Sequence, residues 1–221
     1  MAPIAPESKT KIVRSDNRAV YDRESIEKVL DSTFLCHVGF TIDGEARVIP
    51  TAYVRIDDAV YLHGHLKNQM LNALLDGQTA SICITLTDGL VLARSGFKHS
   101  VNYRSVTLFG KAEKVADDEK AALLDAFVDF MVPGRSAALR KASQQELNAT
   151  LVLRVPIDEA AAKIRTGPPL DKDPDYATHI WAGVVNLETR IRGIENCPKL
   201  NAGIEVPEHI SKYVAQETIF D

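Results

Sequence analysis

Two turn signals near the start of the chain separate three apolar segments, and this spacing strongly limits the possible folds. Segments 34–40, 46–55 and 60–63 are each of strand length, with Asp43-Gly44 and Asp57-Asp58 between them. Asp-Gly favours a tight β-hairpin turn, because both of its residues tolerate positive φ. The sequence therefore predicts an antiparallel meander and not the alternating strands and helices of a parallel sheet. Neither GxGxxG nor GxxxxGK[ST] occurs, so neither glycine-rich nucleotide motif is present.

The rest of the chain adds further strands and several helices. Strands are predicted at 79–87, 90–95, 101–115, 151–155 and 180–187. Helices are predicted from the N-cap Asp22 to about Ser32, at 67–75 before Gly77, after Asp117 and after the capping-box residue Ser143. Segment 158–164 is ambiguous, because its alanines favour a helix and its position favours a strand. The pattern indicates a mainly β fold with α insertions, built as an antiparallel barrel.

Composition excludes several classes of protein. The 221 residues carry a formal net charge of -4, which argues against a protein that binds duplex nucleic acid. No apolar run is long enough to span a membrane, and the N-terminus lacks the apolar region of a secretory signal. The cysteines Cys36, Cys83 and Cys197 are odd in number and widely spaced, so we expect free thiols in a reducing, cytoplasmic setting.

Segment 60–71 is the clearest candidate for ligand binding. It begins as an apolar strand, passes through Gly64, and enters a predicted helix whose first turn carries Lys67, Asn68 and Gln69. Free N–H groups at a helix start, together with a nearby ammonium, favour a phosphate. The alternative is a plain strand-to-helix turn with a solvated first turn.

Other polar residues support weaker hypotheses. His63 and His65 have a spacing that could serve a metal, but no carboxylate pair or further Cys/His cluster accompanies them, so no metal site is predicted. Ser95 and Ser100 lie near His99, but neither is in a GxSxG nucleophile motif.

Three further features favour a planar, phosphorylated ligand, each with a structural alternative. In segment 98–105, Tyr103 could stack on a ring and Arg104 could bind a phosphate, or the segment could simply begin an exposed strand. Pro50 requires an edge or a bulge in its strand. Trp181 is the only tryptophan, and such a residue usually lies in the core or at a subunit interface.

Four segments give the chain a recognisable signature. They are 47–51 (Arg-Val-Ile-Pro-Thr), 62–64 (Leu-His-Gly) before a helix, 88–95, and 99–106 (His-Ser-Val-Asn-Tyr-Arg-Ser-Val). Together they resemble the pyridoxamine 5′-phosphate oxidase-related family of FMN-binding split barrels. Segments 163–169 and 180–184 make the chain similar to the branch with nitroimidazole-resistance-type proteins. The resemblance extends over about residues 14–190.

This resemblance implies a six-stranded antiparallel split β-barrel that forms a homodimer, with FMN at the subunit interface. Strand 47–51 would line the flavin ring, the next strand end and helix start would hold the ribityl phosphate, and the later segments would contribute from the same or the other subunit. The implied cofactor-binding residues are Arg47, Val48, Ile49, Pro50, Thr51, Tyr61, Leu62, His63, Gly64, Lys67, Asn68, Gln69, Arg94, Ser95, His99, Tyr103, Arg104, Ser105 and Trp181.

One departure from the family pattern concerns the phosphate. The family commonly has Ser or Thr followed by Arg or Lys where this chain has Asn68-Gln69. The cation is therefore expected to come from Lys67, or else from Arg94 or Arg104.

The function implied is that of an FMN-dependent oxidoreductase acting on a small molecule such as a nitro-aromatic compound, with NAD(P)H as a candidate electron donor. His63 and His99 are the candidate proton donors. The alternatives are a non-catalytic protein that binds or stores flavin, haem or a deazaflavin, and a structural dimer that has lost its ligand.

We expect a flexible tail at 1–15, the flavin-binding barrel at 16–190, and a C-terminal extension at 191–221 that wraps the surface or contacts the partner subunit. Neither nucleic-acid nor membrane partners are expected.

Overall fold

The structure is a computed structural model that describes residue 4 and residues 9–216. Within this part, ten strands form one antiparallel sheet in the order β1-β9-β6-β5-β2-β3-β4-β8-β7, with β10 added to β5. The strands are β1 Ala19–Val20, β2 Leu35–Ile42, β3 Glu45–Ile56, β4 Ala59–His65, β5 Thr79–Leu92, β6 Ser100–Lys111, β7 Glu113–Lys114, β8 Thr150–Pro156, β9 Glu159–Arg165 and β10 Gly183–Asn186. The helices are α1 Arg23–Leu30, α2 Gln69–Leu75, α3 Lys120–Met131, α4 Gln144–Ala149 and α5 Glu208–Val214.

The predicted meander forms β2, β3 and β4. Asp43 and Gly44 have φ values of 53° and 80°, so both turn residues take the left-handed conformation that the Asp-Gly signal predicted. Asp57 has a φ of 52° and makes the second turn. The barrel-like core lies between the inner faces of these strands and those of β5, β6, β8 and β9.

Helix starts follow the local capping signals. The Asp22 carboxylate accepts a hydrogen bond from the Ser25 N–H at 2.8 Å and begins α1. Ser143 and Glu146 form the predicted reciprocal capping box before α4. The buried residues Ile26, Val29 and Leu30 then anchor α1 to the core.

Several boundaries differ from the sequence prediction. The described sheet has ten strands, so the expected count of six is not confirmed. Strands β1 and β7 are too short for the alternation of apolar and polar residues that predicts a strand to be detected in the sequence. Segment 158–164 is a strand, because pairing of β9 with β6 outweighs the helix propensity of its buried alanines. The strand predicted at 180–187 is shorter, with only Gly183–Asn186 paired to β5.

Two further observations concern the N-terminal segment and the long strand β5. Ile4 is buried and its N–H bonds to the Tyr21 carbonyl, so this residue of the expected tail contacts the domain. Segments 79–87 and 90–95, predicted as two strands, mostly form the single strand β5, whose register shifts between Thr87 and Gly89. No helix in the described residues is long and apolar enough to cross a membrane.

Candidate functional site

The sheet opens between β3 and β4, and the strongest candidate residues lie on the two sides of this opening. The ladder between the strands joins only Tyr53–Ile56 to Ala59–Leu62. Before it, β3 pairs only with β2, and after it, His63–His65 pairs only with β8. We call the resulting gap between segment 47–51 and segment 63–65 the split. Unpaired backbone edges face it from both strands.

Pro50 fits the free edge of β3. It is paired with His37 of β2 and has no strand on its other side within the described residues, which confirms the edge position that its missing N–H requires. Val48 is 67% exposed and Ile49 is 42% exposed, although they lie on opposite faces of the strand. Both faces of this segment are therefore accessible to a ligand.

His63 borders the split on β4 and is held in one orientation by packing. Its ring meets Phe127 of α3 edge-on, with a centroid distance of 4.3 Å. Burial lowers the pKa of His63, so the neutral imidazole is favoured. Its Nδ1 atom is buried and has no hydrogen-bond partner among the described residues, which leaves a polar atom unsatisfied in the protein alone.

Gly64 allows the following helix to approach the strand closely. A Cβ atom at this position would lie 3.1 Å from Leu71 Cδ1 and 3.3 Å from Asn68 Nδ2. Asn68 is the N-cap of α2, and its Oδ1 accepts a hydrogen bond from the Leu71 N–H at 3.1 Å. The helix therefore begins at Gln69, two residues later than predicted, because the Asn68 side chain satisfies a first-turn donor itself.

Lys67 is exposed just before this helix, and no carboxylate of the described residues lies within ion-pair distance of its ammonium. Its N–H donates to His65 Nδ1 at 3.1 Å, which fixes the backbone of the turn. Its ammonium has no ion pair or hydrogen bond within the described part of the chain. With Gln69, it lines a surface cleft beside Asp76 and Gln78.

The two other candidate cations are already bound by carboxylates. Arg94 Nη1 lies 3.0 Å from Asp171 Oδ2, and its guanidinium stacks on the Tyr176 ring. Arg104 Nη2 lies 2.9 Å from Asp88 Oδ1, with its Nε also directed at that carboxylate. An incoming phosphate would have to compete with these carboxylates, whereas at Lys67 it would not.

The remaining candidates form a second group on β5, β6 and the segments beside them. Arg94, Ser95, His99, Tyr103, Arg104 and Ser105 are separated from His63 by the intervening strands β5, β2 and β3 or lie still farther along the sheet. His99 Nδ1 is 2.9 Å from the Ser95 carbonyl oxygen, which can only accept, so Nδ1 donates this hydrogen bond and fixes the orientation of the ring. In the hydrogen-bonded order of the sheet, the strands that carry this group are not neighbours of β4.

Trp181 is 68% exposed and is not a core residue. Its ring folds back over Gly183, where a Cβ atom would come within 2.8 Å of the indole. The predicted core position is therefore wrong for this tryptophan, while a position at a subunit interface and a contact with the flavin stay predictions.

The sequence analysis missed the residues that neutralise or contact these candidates. It did not single out Phe127, which contacts His63, or Asp171 and Asp88, which bind Arg94 and Arg104. Asp171 is 77 positions from Arg94, so no local signal could have paired them. No group of three or more His, Cys, Asp or Glu side chains suited to a metal occurs among the described residues.

Comparisons with known proteins agree with this architecture. A family model described as pyridoxamine 5′-phosphate oxidase matches residues 22–164. The flavocytochrome Anf3 from Azotobacter vinelandii is 39% identical, with a TM-score of 0.91 over 95% of this chain and 98% of that one. An FAD and haem binding protein from Mycobacterium smegmatis is 38% identical, with a TM-score of 0.85 over 88% of this chain and 96% of that one.

A more distant structure shares the fold alone. It is described as a 5-nitroimidazole antibiotic resistance protein from Bacteroides thetaiotaomicron, is 23% identical, and has a TM-score of 0.56 over 66% of this chain and 86% of that one. A comparison with curated protein sequences gives no match.

Proposed function

The chain belongs to the pyridoxamine 5′-phosphate oxidase family, and from this premise we propose that it is a flavin-binding redox protein whose flavin lies at the split. This proposal rests on two features found together: an unpaired strand edge, and a cation that has no carboxylate partner among the described residues. Segment 47–51 offers a free backbone edge and exposed apolar side chains, and Lys67 lies at the end of the neighbouring strand. The two relatives at 38% and 39% identity are named for flavin binding, which supports the same conclusion.

Each side of the split has a distinct part in this proposal. The edge of β3 would contact the flat ring system, because its free N–H and C=O groups can pair with the polar edge of a heterocycle. Lys67 would bind the phosphate by a charge-assisted hydrogen bond. Either FMN, as the family resemblance implies, or FAD, as the name of one relative indicates, presents these groups.

The bound flavin would supply transfer of one or two electrons, as flavins generally do. His63 would exchange protons through a neutral ring, because burial lowers its pKa. His99 is the other candidate proton donor, and its Nδ1 is directed at the Ser95 carbonyl oxygen. Candidate acceptors are small oxidants such as nitro-aromatic compounds, with NADH or NADPH as the donor. The unpaired cysteines agree with a reducing, cytoplasmic setting.

We also propose that the protein is a homodimer in which the second group of candidate residues completes the site. In one chain that group is separated from the split by intervening strands. A second copy could place Tyr103 and Ser105 against the flavin of the first, because both side chains are partly accessible on the outer face of β6.

Haem is a second candidate ligand, because both close relatives are named as a flavocytochrome or a haem-binding protein. The residue that fits it is His63, whose ring is favoured in the neutral, metal-binding form and whose Nδ1 has no protein partner among the described residues. The sequence has no CxxCH motif, so the haem would be held without a covalent link to cysteine.

The absorption spectrum of the purified protein tests both ligands. We expect the bands of oxidised flavin, and extraction followed by chromatography would identify FMN or FAD. A Soret band that His63→Ala removes or shifts would support the haem assignment. Absence of flavin after purification, combined with no melting-temperature increase on adding FMN or FAD, would overturn the flavin proposal.

Reduction experiments separate the functional alternatives. Anaerobic bleaching of the flavin by NADH or NADPH, followed by reoxidation with a nitro-aromatic compound, would support an oxidoreductase. A tightly bound flavin that neither nucleotide reduces would favour the storage alternative.

A further inference from the structure

A second set of cations, most of them without a carboxylate partner among the described residues, lies on the outer face of the sheet. Lys163 and Arg165 extend from β9, and Lys9, Lys11 and Arg18 belong to the N-terminal segment that lies beside it. We call these five residues the basic strip. In the sheet order of one chain, β6, β5 and β2 lie between β9 and β3, so the basic strip and the split of the same chain are on strands that do not neighbour each other.

Strand register places hydroxyl groups next to these cations. Lys163 is paired with Ser105, and Arg165 with Tyr103. Ser105 is paired in turn with Thr85 of β5. Directly paired residues share one face of an antiparallel sheet, and the core residues Val106 and Ala162 occupy the opposite face. The outer face therefore presents hydroxyl groups beside two cations, and the Ser105 hydroxyl donates to the Lys163 carbonyl oxygen at 3.2 Å.

Protein acids neutralise little of this charge. The one ion pair of the basic strip within the described residues joins Lys9 to Glu159 at 3.2 Å. Lys163 Nζ donates instead to the Arg14 carbonyl at 3.1 Å. Lys11 and Arg18 have neither an ion pair nor a side-chain hydrogen bond to any described residue.

Arg165 is the least usual member, because it is charged and only 7% exposed. Its guanidinium donates to Asn102 Oδ1, to the Gly167 carbonyl at 3.2 Å and to the Pro168 carbonyl at 3.1 Å, all neutral acceptors. Burial lowers the pKa of Arg165, and the charge of nearby Arg18 lowers it further. A buried cation usually has a carboxylate partner, and here the acceptors hold the side chain without cancelling its charge.

A small cleft is lined by three of the five residues of the basic strip. It has a volume of about 210 Å³, and Lys9, Lys11, Lys163, Ser105 and Thr107 are among its lining residues. Sites for whole drug-sized molecules have volumes of about 300–1,000 Å³, so this cleft suits one ionic group of a larger ligand. The open hydroxyl-bearing face beside it would accommodate the remainder.

We propose that the basic strip binds the phosphate or pyrophosphate group of a nucleotide. Ammonium groups and hydroxyl donors converging on one cleft are suited to several phosphate oxygens at once. The anion site itself does not depend on the flavin proposal, whereas the choice of a nucleotide as its ligand does. Two nucleotides share this chemistry, the adenylate half of FAD and a reduced nicotinamide dinucleotide phosphate.

Calorimetric titration with inorganic pyrophosphate at low ionic strength tests the anion site directly. The double variant Lys11→Gln/Lys163→Gln removes two cations from the cleft without touching Arg165 or the core. We expect pyrophosphate affinity to fall about tenfold or more, since each charge-assisted contact that is lost typically exceeds that factor.

A matched control is Lys141→Gln/Lys212→Gln, which changes the net charge equally but alters exposed ion pairs on α5 and beside α3. The control should retain wild-type pyrophosphate affinity, and both double variants should keep the wild-type melting temperature. Equal weakening by both double variants, absence of binding to the wild type, or a changed oligomeric state with unchanged affinity would overturn the proposal.

Nucleotide titrations then distinguish the two sources. Weaker binding of FAD with unchanged FMN affinity would assign the basic strip to the adenylate half of the flavin. Weaker binding of NADPH with unchanged NADH affinity would assign it to the 2′-phosphate of the electron donor. If neither flavin binds the wild type, the flavin proposal fails, while the pyrophosphate titration still decides whether the anion site exists.

Discussion

The three candidate phosphate cations differ in whether a protein carboxylate has already bound them. Asp171 binds Arg94 and Asp88 binds Arg104, in both cases within 3.0 Å. The first pair joins positions 77 residues apart, and the second joins the neighbouring strands β5 and β6, which gives both arginines a structural role. Lys67 has no such partner in the described part of the chain, so its charge is available to a ligand.

Replacement of Lys67 with alanine is therefore expected to weaken flavin binding. A charge-assisted hydrogen bond contributes about 1–3 kcal/mol, which corresponds to a loss in affinity of roughly 5- to 150-fold. Flavin fluorescence quenching would measure the dissociation constant, with Lys141→Ala as a control on an unrelated ion pair. Unchanged affinity in Lys67→Ala would mean that another cation binds the phosphate.

The half-buried histidine His63 gives a pH dependence whose direction can be worked out. Burial lowers the pKa of His63 from its ordinary value of 6.5, so the unfolded chain binds the proton at a higher pH than the folded chain. The unfolding free energy therefore rises with pH. This contribution is fully present above pH 6.5 and is lost as the pH falls toward the lowered folded pKa.

Urea unfolding of ligand-free protein at several pH values across this range would measure the effect. We expect His63→Gln to show a shallower loss of stability on acidification than the wild type, because glutamine does not titrate. Parallel curves for the two proteins would show that His63 is not the group responsible.

Among the elements, α2 depends strongly on its first residues. It has only seven residues, Gln69–Leu75, of which Met70, Leu71, Ala73 and Leu74 are buried. So short a helix has little intrinsic stability in water and relies on its cap and on packing. Asn68 supplies the cap, and Gly64 permits the close contact with β4.

Loss of this cap is expected to destabilise the domain. Asn68→Ala should lower the unfolding free energy by about 1 kcal/mol, the usual effect of removing an N-cap. Asn68→Asp keeps an acceptor oxygen and should retain most of the wild-type value. Chemical denaturation would compare the two, and equal destabilisation by both would mean that the amide and not the acceptor is required.

The whole molecule leaves a large apolar surface uncovered. Leu90, Val101 and Val185 lie side by side across β5, β6 and β10 and are each more than a third exposed. Phe97 is 90% exposed and Trp181 is 68% exposed in the adjoining segments. Contiguous exposed apolar residues commonly mark a protein interface, which agrees with the proposed homodimer.

The single tryptophan reports on this assembly. We expect Trp181 emission to be blue-shifted at micromolar concentration, where a second copy would cover the ring, and to move to longer wavelength on dilution. Sedimentation velocity should show dissociation over the same concentration range, and Trp181→Phe provides the blank. A monomer at micromolar concentration with unshifted emission would contradict the dimer.

Local signals predicted the parts of this fold that depend on residues close together in the chain. Asp43-Gly44 defined its hairpin because both residues tolerate positive φ, and Asp22 and Ser143 began their helices because their caps act over three residues. Pro50 predicted an edge position because it lacks an N–H. The motifs at 47–51 and 99–106 indicated the family, which the family match confirms.

Only the tertiary structure showed where β3 and β4 separate, which cations are neutralised, and that the alanine-rich segment is a strand. The partners that decide these features are far away in sequence, as Asp171 is from Arg94 and β9 is from β6. The hydrophobic periodicity of a sequence does not indicate which distant strands pair with each other or which carboxylate binds a given arginine. Those outcomes are decided by sheet register, which brings remote residues onto one face.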